Sequence, residues 1–293
     1  MHAPAGKEKT RTTPDPRRRE EPASQPRFSI FLIVISYYAF PHIRKILISR
    51  YLLSFALVFL PRQIAMTLYA LPLPTPVSLP VSGSEARFPV QRVFCVGRNY
   101  AAHAREMGGN PATEAPFFFL KPATCVIHDG TVAYPARTKD YHHEVEMVVA
   151  IGRGGSFIPV EAALDCVFGY GVGLDLTRRD VQAELKQAGR SWEMGKCPDQ
   201  GAPVSAIVPV RQCGHPATGQ ITLTINGEVR QQGDLADMIL DVPHIIAELS
   251  TWFTLLPGDL ILTGTPEGVG PLHRGDRLHA SVAGVTELEL QVL

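Results

Sequence analysis

The rhythm of hydrophobic and polar positions changes near residue 70, and downstream of that point short apolar runs dominate. Gln91–Gly97 (Gln-Arg-Val-Phe-Cys-Val-Gly) reads as a buried strand closed by glycine. Asn99–Met107 has helical character and meets a stop signal at Gly108-Gly109. Phe117–Leu120 is a short aromatic strand broken by Pro122, and Glu144–Ile151 alternates before becoming wholly apolar ahead of Gly152. Val160–Val167 and Arg178–Ala188 fit helices, the second closed by Gly189. Ile221–Ile225 and Glu228–Gln231 flank Asn226-Gly227, the strongest short-range hairpin signal. Val242–Leu255 reads as a helix, and Pro257-Gly258-Asp259 leads into the strand Leu260–Thr263. Strands outnumber helices and no regular βαβ alternation appears. The pattern therefore predicts an α+β fold built on a mixed β roll or barrel, not a Rossmann sheet.

Upstream the texture is different. Residues 1–27 are basic, Pro-rich and nearly free of apolar side chains, which predicts disorder. Phe28–Leu60 is apolar but is interrupted by Pro41, His42, Arg44, Lys45 and Arg50. Its uncharged runs, Phe28–Phe40 and Tyr51–Leu60, each fall short of the roughly 20 apolar residues that span a bilayer. Three readings compete: a membrane anchor or signal sequence, an additional helical pair, and a segment outside the working protein. The third is preferred, because Met66 opens a self-contained stretch that leads toward the first strand. The expected organisation is an extension over 1–65, a lead-in over 66–90 carrying Pro72, Pro74, Pro76 and Pro80, and a catalytic domain over 91–293.

Composition narrows the function classes. A chain of 293 residues with 45% hydrophobic content can build one large core or two small ones. The 28 basic and 28 acidic residues cancel, so nothing favours a nucleic-acid partner. The 5 cysteines are odd in number, scattered and free of Cys-x-x-Cys, which argues against a disulfide framework or zinc ribbon and fits a reducing cytoplasm. The 25 prolines favour loops and strand edges over long helices.

The candidate chemistry begins with Glu144-Val145-Glu146. At period two both glutamates point to one face and Val145 and Met147 to the other. Two like charges so close are mild on a solvated strand and call for a cation in a cleft. Asp175 ends an apolar, Gly-rich strand (Gly171-Val172-Gly173-Leu174-Asp175), where an Asp is ordinarily a helix N-cap. With the glutamates it could equally complete an all-oxygen site, which selects Mg²⁺, Mn²⁺ or Ca²⁺ over Zn²⁺. His142 and His143 lack the spacing of a zinc helix. His103 and Glu106, at i and i+3, share a helix face. A carboxylate there would set the imidazole tautomer and raise its basicity, making a general base, although a surface pair is the plainer account. Thr263-Gly264-Thr265-Pro266-Glu267-Gly268-Val269-Gly270 follows a strand and lacks the Gly-Lys-Ser/Thr ending of a phosphate loop. Its amides and the Thr265 hydroxyl could donate to a carboxylate or an enolate oxygen. Lys196, Arg179 and Gln182 read individually as surface residues.

Taken in order, these segments resemble the fumarylacetoacetate hydrolase family over residues 70–293. The matching stretches are Gly97-Arg98-Asn99-Tyr100 with His103 and Glu106, Phe118-Phe119-Leu120-Lys121-Pro122, His142-His143-Glu144-Val145-Glu146, Gly173-Leu174-Asp175-Leu176-Thr177-Arg178-Arg179-Asp180-Val181-Gln182, Gly195-Lys196, and Thr263 to Gly270. The N-terminal extension has no counterpart in that pattern. The resemblance implies a mixed β-sandwich roll, ordinarily a homodimer. It implies Mg²⁺ or Mn²⁺, with Ca²⁺ ranked behind them, on Glu144, Glu146 and Asp175. It implies a water-activating pair, His103 and Glu106, with Arg179, Gln182, Lys196 and Thr265 contacting substrate or stabilising its oxyanion. Within the family the texture is most similar to fumarylpyruvate hydrolases of gentisate breakdown, which cleave a 2,4-dioxo acid. Acylpyruvases, oxaloacetate decarboxylases and oxo-acid isomerases share much of it. A different class of account is a non-catalytic, membrane-tethered protein with a structural cation.

Overall fold

The computed structural model describes residues 69–128 and 130–293. The extension containing Phe28–Leu60 and Met66 lies outside the described residues, so the readings made for it are not addressed by the fold. Among the described residues no helix is long and apolar enough to cross a membrane.

Alternation along Val145–Ile151 divides its side chains between two cores. Val145, Met147, Val149 and Ile151 join one cluster, while Val148 and Ala150 join the other. The strand Arg92–Gly97 splits the same way, with Phe94 and Val96 on one side and Val93 and Cys95 on the other. A sheet covered on both faces needs apolar residues at consecutive positions, which is why these strands read as unbroken hydrophobic runs. They are central in a six-stranded sheet ordered Val208–Pro209, Val167–Leu174, Val145–Ile151, Leu260–Leu262, Arg92–Gly97, Phe117–Pro122. Its pairs are antiparallel except Leu260–Leu262 with Arg92–Gly97.

One face of this sheet packs on a five-stranded sheet ordered Glu228–Asp234, Gln220–Ile225, Arg277–Val282, Thr286–Val292, Gly130–Val132. Ile221, Leu223, Leu278, Ala280, Leu288 and Leu290 complete the shared core. The other face is covered by the hairpin Ser78–Val81/Ser84–Pro89 through Leu79, Val81 and Phe88. Two layered mixed sheets with few helices are the expected α+β architecture.

The alternate glycines of Val167–Leu174 have a steric cause. A Cβ at Gly169 would lie 2.4 Å from the Val208 carbonyl oxygen, and one at Gly173 would lie 3.0 Å from that of Pro203. The 203–208 segment therefore runs directly against the strand backbone and holds the strand that leads into Asp175.

Several boundaries differ from the sequence reading. The helix expected over Val160–Val167 is a single turn, Val160–Ala163, followed by a 3₁₀ turn at Leu164–Cys166, and Val167 already belongs to the next strand. Pro122 does not break its strand. It is the last residue of an edge strand, where a missing N–H costs no ladder bond. The helix over Asn99–Met107 shortens to Ala101–Glu106, because Asn99 is engaged elsewhere. Its amide donates to the Leu240 and Thr263 carbonyls, and its oxygen accepts from the Leu240 N–H. The Val242–Leu255 helix ends at Trp252, where Phe253 turns extended and Leu255 pairs with Gly155. The Asn226-Gly227 hairpin forms as expected, with Asn226 at φ 53°.

One ion pair ties the turn before Leu260–Leu262 to the neighbouring strand. Asp259, fully buried, accepts from Arg92 Nε at 2.9 Å and Nη2 at 2.5 Å, and from the Leu256 N–H at 2.8 Å. Arg92→Met is expected to lower unfolding free energy by about 2–3 kcal/mol. That is less than for a fully enclosed pair, because the guanidinium is 30% exposed. Urea denaturation measures it, and a change below about 0.5 kcal/mol would contradict the assignment.

Candidate metal centre and active site

Glu144 and Glu146 lie at the mouth of the central sheet and are 4% and 2% exposed, so they are not a solvent-facing pair. The antiparallel partner of Val145 is Leu174, and the Asp175 N–H donates to the Glu144 carbonyl at 2.8 Å. This pairing brings Asp175 beside the glutamates. One carboxylate oxygen from each of the three residues lies within 4.8 Å of the others. Asp175 is not an N-cap. The helix Arg179–Gln187 starts after Arg178, whose side chain does not cap it.

Three cations surround the carboxylates. Lys196, on the short helix Glu193–Lys196, donates from Nζ to Glu144 Oε2 and Asp175 Oδ2, both at 2.7 Å, and lies 5.1 Å from the centre of the Phe119 ring. It is 4% exposed, which corrects its reading as a surface lysine. Arg179 pairs through Nη2 with Glu144 Oε1, donates from Nη1 to Gln182 Oε1 at 2.6 Å, and turns Nε toward His142 Nδ1 at 3.3 Å. Lys121 is the third. Its ammonium is 2.7 Å from Asp175 Oδ1, and its hydrogens go to the carbonyls of Leu176, Lys196 and Gly201. No role was expected for Lys121. The available signal was a lysine standing inside an aromatic strand, at the position that alternation turns inward.

The electrostatics are uneven. Burial works against the Glu144 charge, but Lys196 and Arg179 override it and hold that carboxyl well below its usual range. Burial likewise opposes the Lys196 charge, and Asp175 and Glu144 override it, keeping the ammonium above the usual lysine range. Glu146 has no such support. Burial, then the charges of Asp175 and Glu144, push it well above the usual carboxylate range, against the Gly264 N–H that donates to its Oε2 at 2.7 Å. Asp175 Oδ1 adds a second sign of incompleteness. It is buried and receives no directed hydrogen bond, because Lys121 spends its three hydrogens on carbonyls. A crowded, oxygen-only trio with one under-compensated carboxylate and one buried oxygen that has a charged neighbour but no directed hydrogen bond fits a hard divalent cation.

Gly264 is shaped for its task. It has φ +99°, and a Cβ there would lie 2.6 Å from the Asn99 Cβ and 3.1 Å from the Val96 carbonyl oxygen. The next residue, Thr265, is 2% exposed and lines one cavity with the three carboxylates. Behind it sits Gln231, also without an expected role, which donates from Nε2 to Thr265 Oγ1 at 2.8 Å.

On the helix Ala101–Glu106, His103 Nδ1 is 3.0 Å from Glu106 Oε2, and Glu106 Oε1 accepts from the Gly268 N–H at 3.0 Å. Donation of Nδ1–H to Glu106 leaves Nε2 as the basic nitrogen. His103 is 6% exposed whereas Glu106 is exposed, so the imidazole is withdrawn from solvent and its carboxylate partner stands at the surface. One cavity is lined by His103, Glu144, Glu146, Asp175, Arg179, Gln182, Lys196 and Thr265. Of the nine residues singled out from sequence, Glu106 alone lies outside that lining, in contact with it through His103.

The chain is similar to known proteins over the residues that build this site. Residues 92–293 match the family model described as fumarylacetoacetate (FAA) hydrolase C-terminal. A fumarylpyruvate hydrolase from Pseudomonas aeruginosa, solved in complex with Mn²⁺ and pyruvate, is 48% identical with a TM-score of 0.76, covering 77% of this chain and 99% of that one. Oxaloacetate tautomerase FAHD1, mitochondrial, from Mus musculus is 44% identical over 69% of this chain and 91% of its own length. A 5-carboxymethyl-2-hydroxymuconate delta-isomerase from Mycobacterium smegmatis is 37% identical with a TM-score of 0.62, covering 70% and 80%.

Proposed function

The chain belongs to the fumarylacetoacetate hydrolase family, and from that premise we propose that it hydrolyses a carbon–carbon bond of a 2,4-dioxo acid, with fumarylpyruvate, cleaved to fumarate and pyruvate, as the best-fitting substrate. The observation that carries the proposal is a single cavity holding both a His–Glu pair suited to deprotonate water and a three-carboxylate site ringed by cations.

Glu144, Glu146 and Asp175 would hold Mg²⁺ or Mn²⁺, which would supply Lewis-acid charge toward the 2-oxo acid end of the substrate, a reading supported by the Mn²⁺ and pyruvate of the Pseudomonas aeruginosa relative. The chain's own residues do the rest. His103 Nε2 takes a proton from water, with Glu106 steadying the resulting imidazolium. The hydroxide adds to the distal carbonyl, the bond to the methylene carbon breaks, and the electron pair leaves as pyruvate enolate. The proton held by His103 then returns to that methylene carbon. An enolate is a poor leaving group unless its charge is met. The Lys196 ammonium and the Thr265 hydroxyl line the cavity where it develops. Arg179, braced by Gln182, offers its guanidinium to the substrate carboxylate.

The fumaryl preference is supported by the rest of the lining. Lys186, and Arg98 in its pair with Glu114, lie beyond the carboxylate trio, and Phe117, Phe119 and Trp192 give an aromatic wall suited to an unsaturated acyl group. A second reading has its own support in the likeness to oxaloacetate tautomerase. The same base can shuttle a proton between carbon and oxygen without any attack by water. Side-by-side assays with Mg²⁺ decide between them. Pyruvate release from fumarylpyruvate is expected to exceed that from acetylpyruvate by about tenfold or more in kcat/KM. Rapid keto–enol conversion of oxaloacetate, with no pyruvate from either dioxo acid, would retire the hydrolase and assign the tautomerase. The proposal also includes a homodimer in a reducing compartment, the cytoplasm, in keeping with five free cysteines. Sedimentation velocity should give one species of twice the chain mass.

A further inference from the structure

Gln231 belongs to the edge strand Glu228–Asp234, yet its side chain is buried between the metal-site strand and the Thr263–Gly270 loop at 1% exposure. All four of its hydrogen-bonding positions are used. Oε1 receives the His143 Nδ1 at 2.9 Å and the Val145 N–H at 3.0 Å. Nε2 donates to Thr265 Oγ1 at 2.8 Å and to the Pro266 carbonyl at 2.9 Å.

The amide cannot be turned around. A backbone N–H only donates, so the atom facing Val145 must be the oxygen. A backbone carbonyl only accepts, so the atom facing Pro266 must be the nitrogen. Thr265 Oγ1 is therefore an acceptor toward Gln231, and its own hydrogen is not taken up by any protein group among the described residues. That hydroxyl lines the cavity with His103, Lys196 and the three carboxylates.

We propose that Gln231 is a positioning residue that fixes the polarity of the Thr265 hydroxyl, presenting it to the cavity as a ready hydrogen-bond donor for the oxygen on which negative charge develops. The inference rests on the hydrolase reading and deepens it. A hydroxyl free to rotate in a site holding three carboxylates would turn its hydrogen toward one of them and oppose the reaction with a lone pair. Occupying the lone pair that faces away from the substrate leaves the hydrogen aimed at the substrate before the charge forms. Pre-orientation of this kind costs no rearrangement during the reaction.

Steady-state kinetics on fumarylpyruvate tests the assignment. Thr265→Val is expected to lower kcat about 100-fold with KM nearly constant, because the donor acts on charge present only in the transition state. Thr265→Ser should recover most of that loss. Gln231→Glu offers an acceptor where the amide donated, draws the Thr265 hydrogen to itself, and should lower kcat to a similar degree. In the Thr265→Val background the same change should do nothing further, because the residue through which it acts is gone. Gln231→Met serves if the glutamate variant does not fold, with the same loss of additivity expected. A Thr265→Val enzyme at wild-type kcat would overturn the inference, as would losses at 231 and 265 that multiply. Absence of turnover by the wild type on any dioxo acid retires the hydrolase reading itself, a result distinct from either.

Discussion

Glu146→Gln is expected to cut turnover by roughly three orders of magnitude or more and to weaken Mn²⁺ binding in parallel. The side chain keeps its shape and its contact with the Gly264 N–H. What disappears is one of three negative charges converging on a single point. The variant also carries an internal control on folding. Without a cation, Glu146 is the carboxyl in the site that burial and its two acidic neighbours disfavour. A neutral amide removes that repulsion. The metal-free variant should therefore melt no lower than the metal-free wild type, while the wild type alone gains strongly from added Mn²⁺. Exhaustive chelation of the wild type should reproduce the kinetic loss. Full turnover after chelation would eliminate the scheme.

Much of this centre was legible in the chain because its parts are local. Period-two alternation put Glu144 and Glu146 on one face, and both are buried in the site, Glu146 on the strand Val145–Ile151 and Glu144 immediately before it. The i, i+3 spacing of His103 and Glu106 needed only one helical turn. What escaped depends on pairings between distant segments. Gln231 reaches Val145 across 86 residues and Lys121 reaches the Gly201 carbonyl across 80, and neither distance leaves a trace in a local pattern. The short helices were misjudged for the same reason. Asn99 is held outside its helix by bonds to Leu240 and Thr263, 141 and 164 residues away. Lys196 was underrated because a lysine in an apolar setting looks solvent-bound until its carboxylate partners are in view. Glu144 and Asp175 are both brought to it by sheet register.

The dyad yields the second large effect. His103→Asn removes the base and is expected to lower hydrolysis by about 10²–10⁴-fold while leaving Mn²⁺ affinity intact. Glu106 gives a sharper test, because its two oxygens have different partners. Oε1 accepts from the Gly268 N–H, and Oε2 faces His103 Nδ1. In Glu106→Gln the Gly268 N–H will keep the amide oxygen, so the NH₂ group must face Nδ1. An NH₂ group cannot accept the Nδ1 hydrogen, so the ring is driven to carry its proton on Nε2, where the base is needed. Glu106→Gln should therefore be nearly as inactive as His103→Asn, and more damaged than Glu106→Ala, whose imidazole remains free to choose its tautomer. A merely structural or charge-stabilising role for Glu106 orders these variants the other way, with the near-isosteric glutamine the milder change. In the His103→Asn background the two Glu106 variants should become indistinguishable, since no tautomer is left to control. Single-turnover rates on fumarylpyruvate, read with Mn²⁺ affinity for each variant, separate these outcomes. A Glu106→Gln enzyme more active than Glu106→Ala would remove Glu106 from its role in setting the His103 tautomer, and a His103→Asn enzyme at the wild-type rate would remove His103 from its role as the water-activating base.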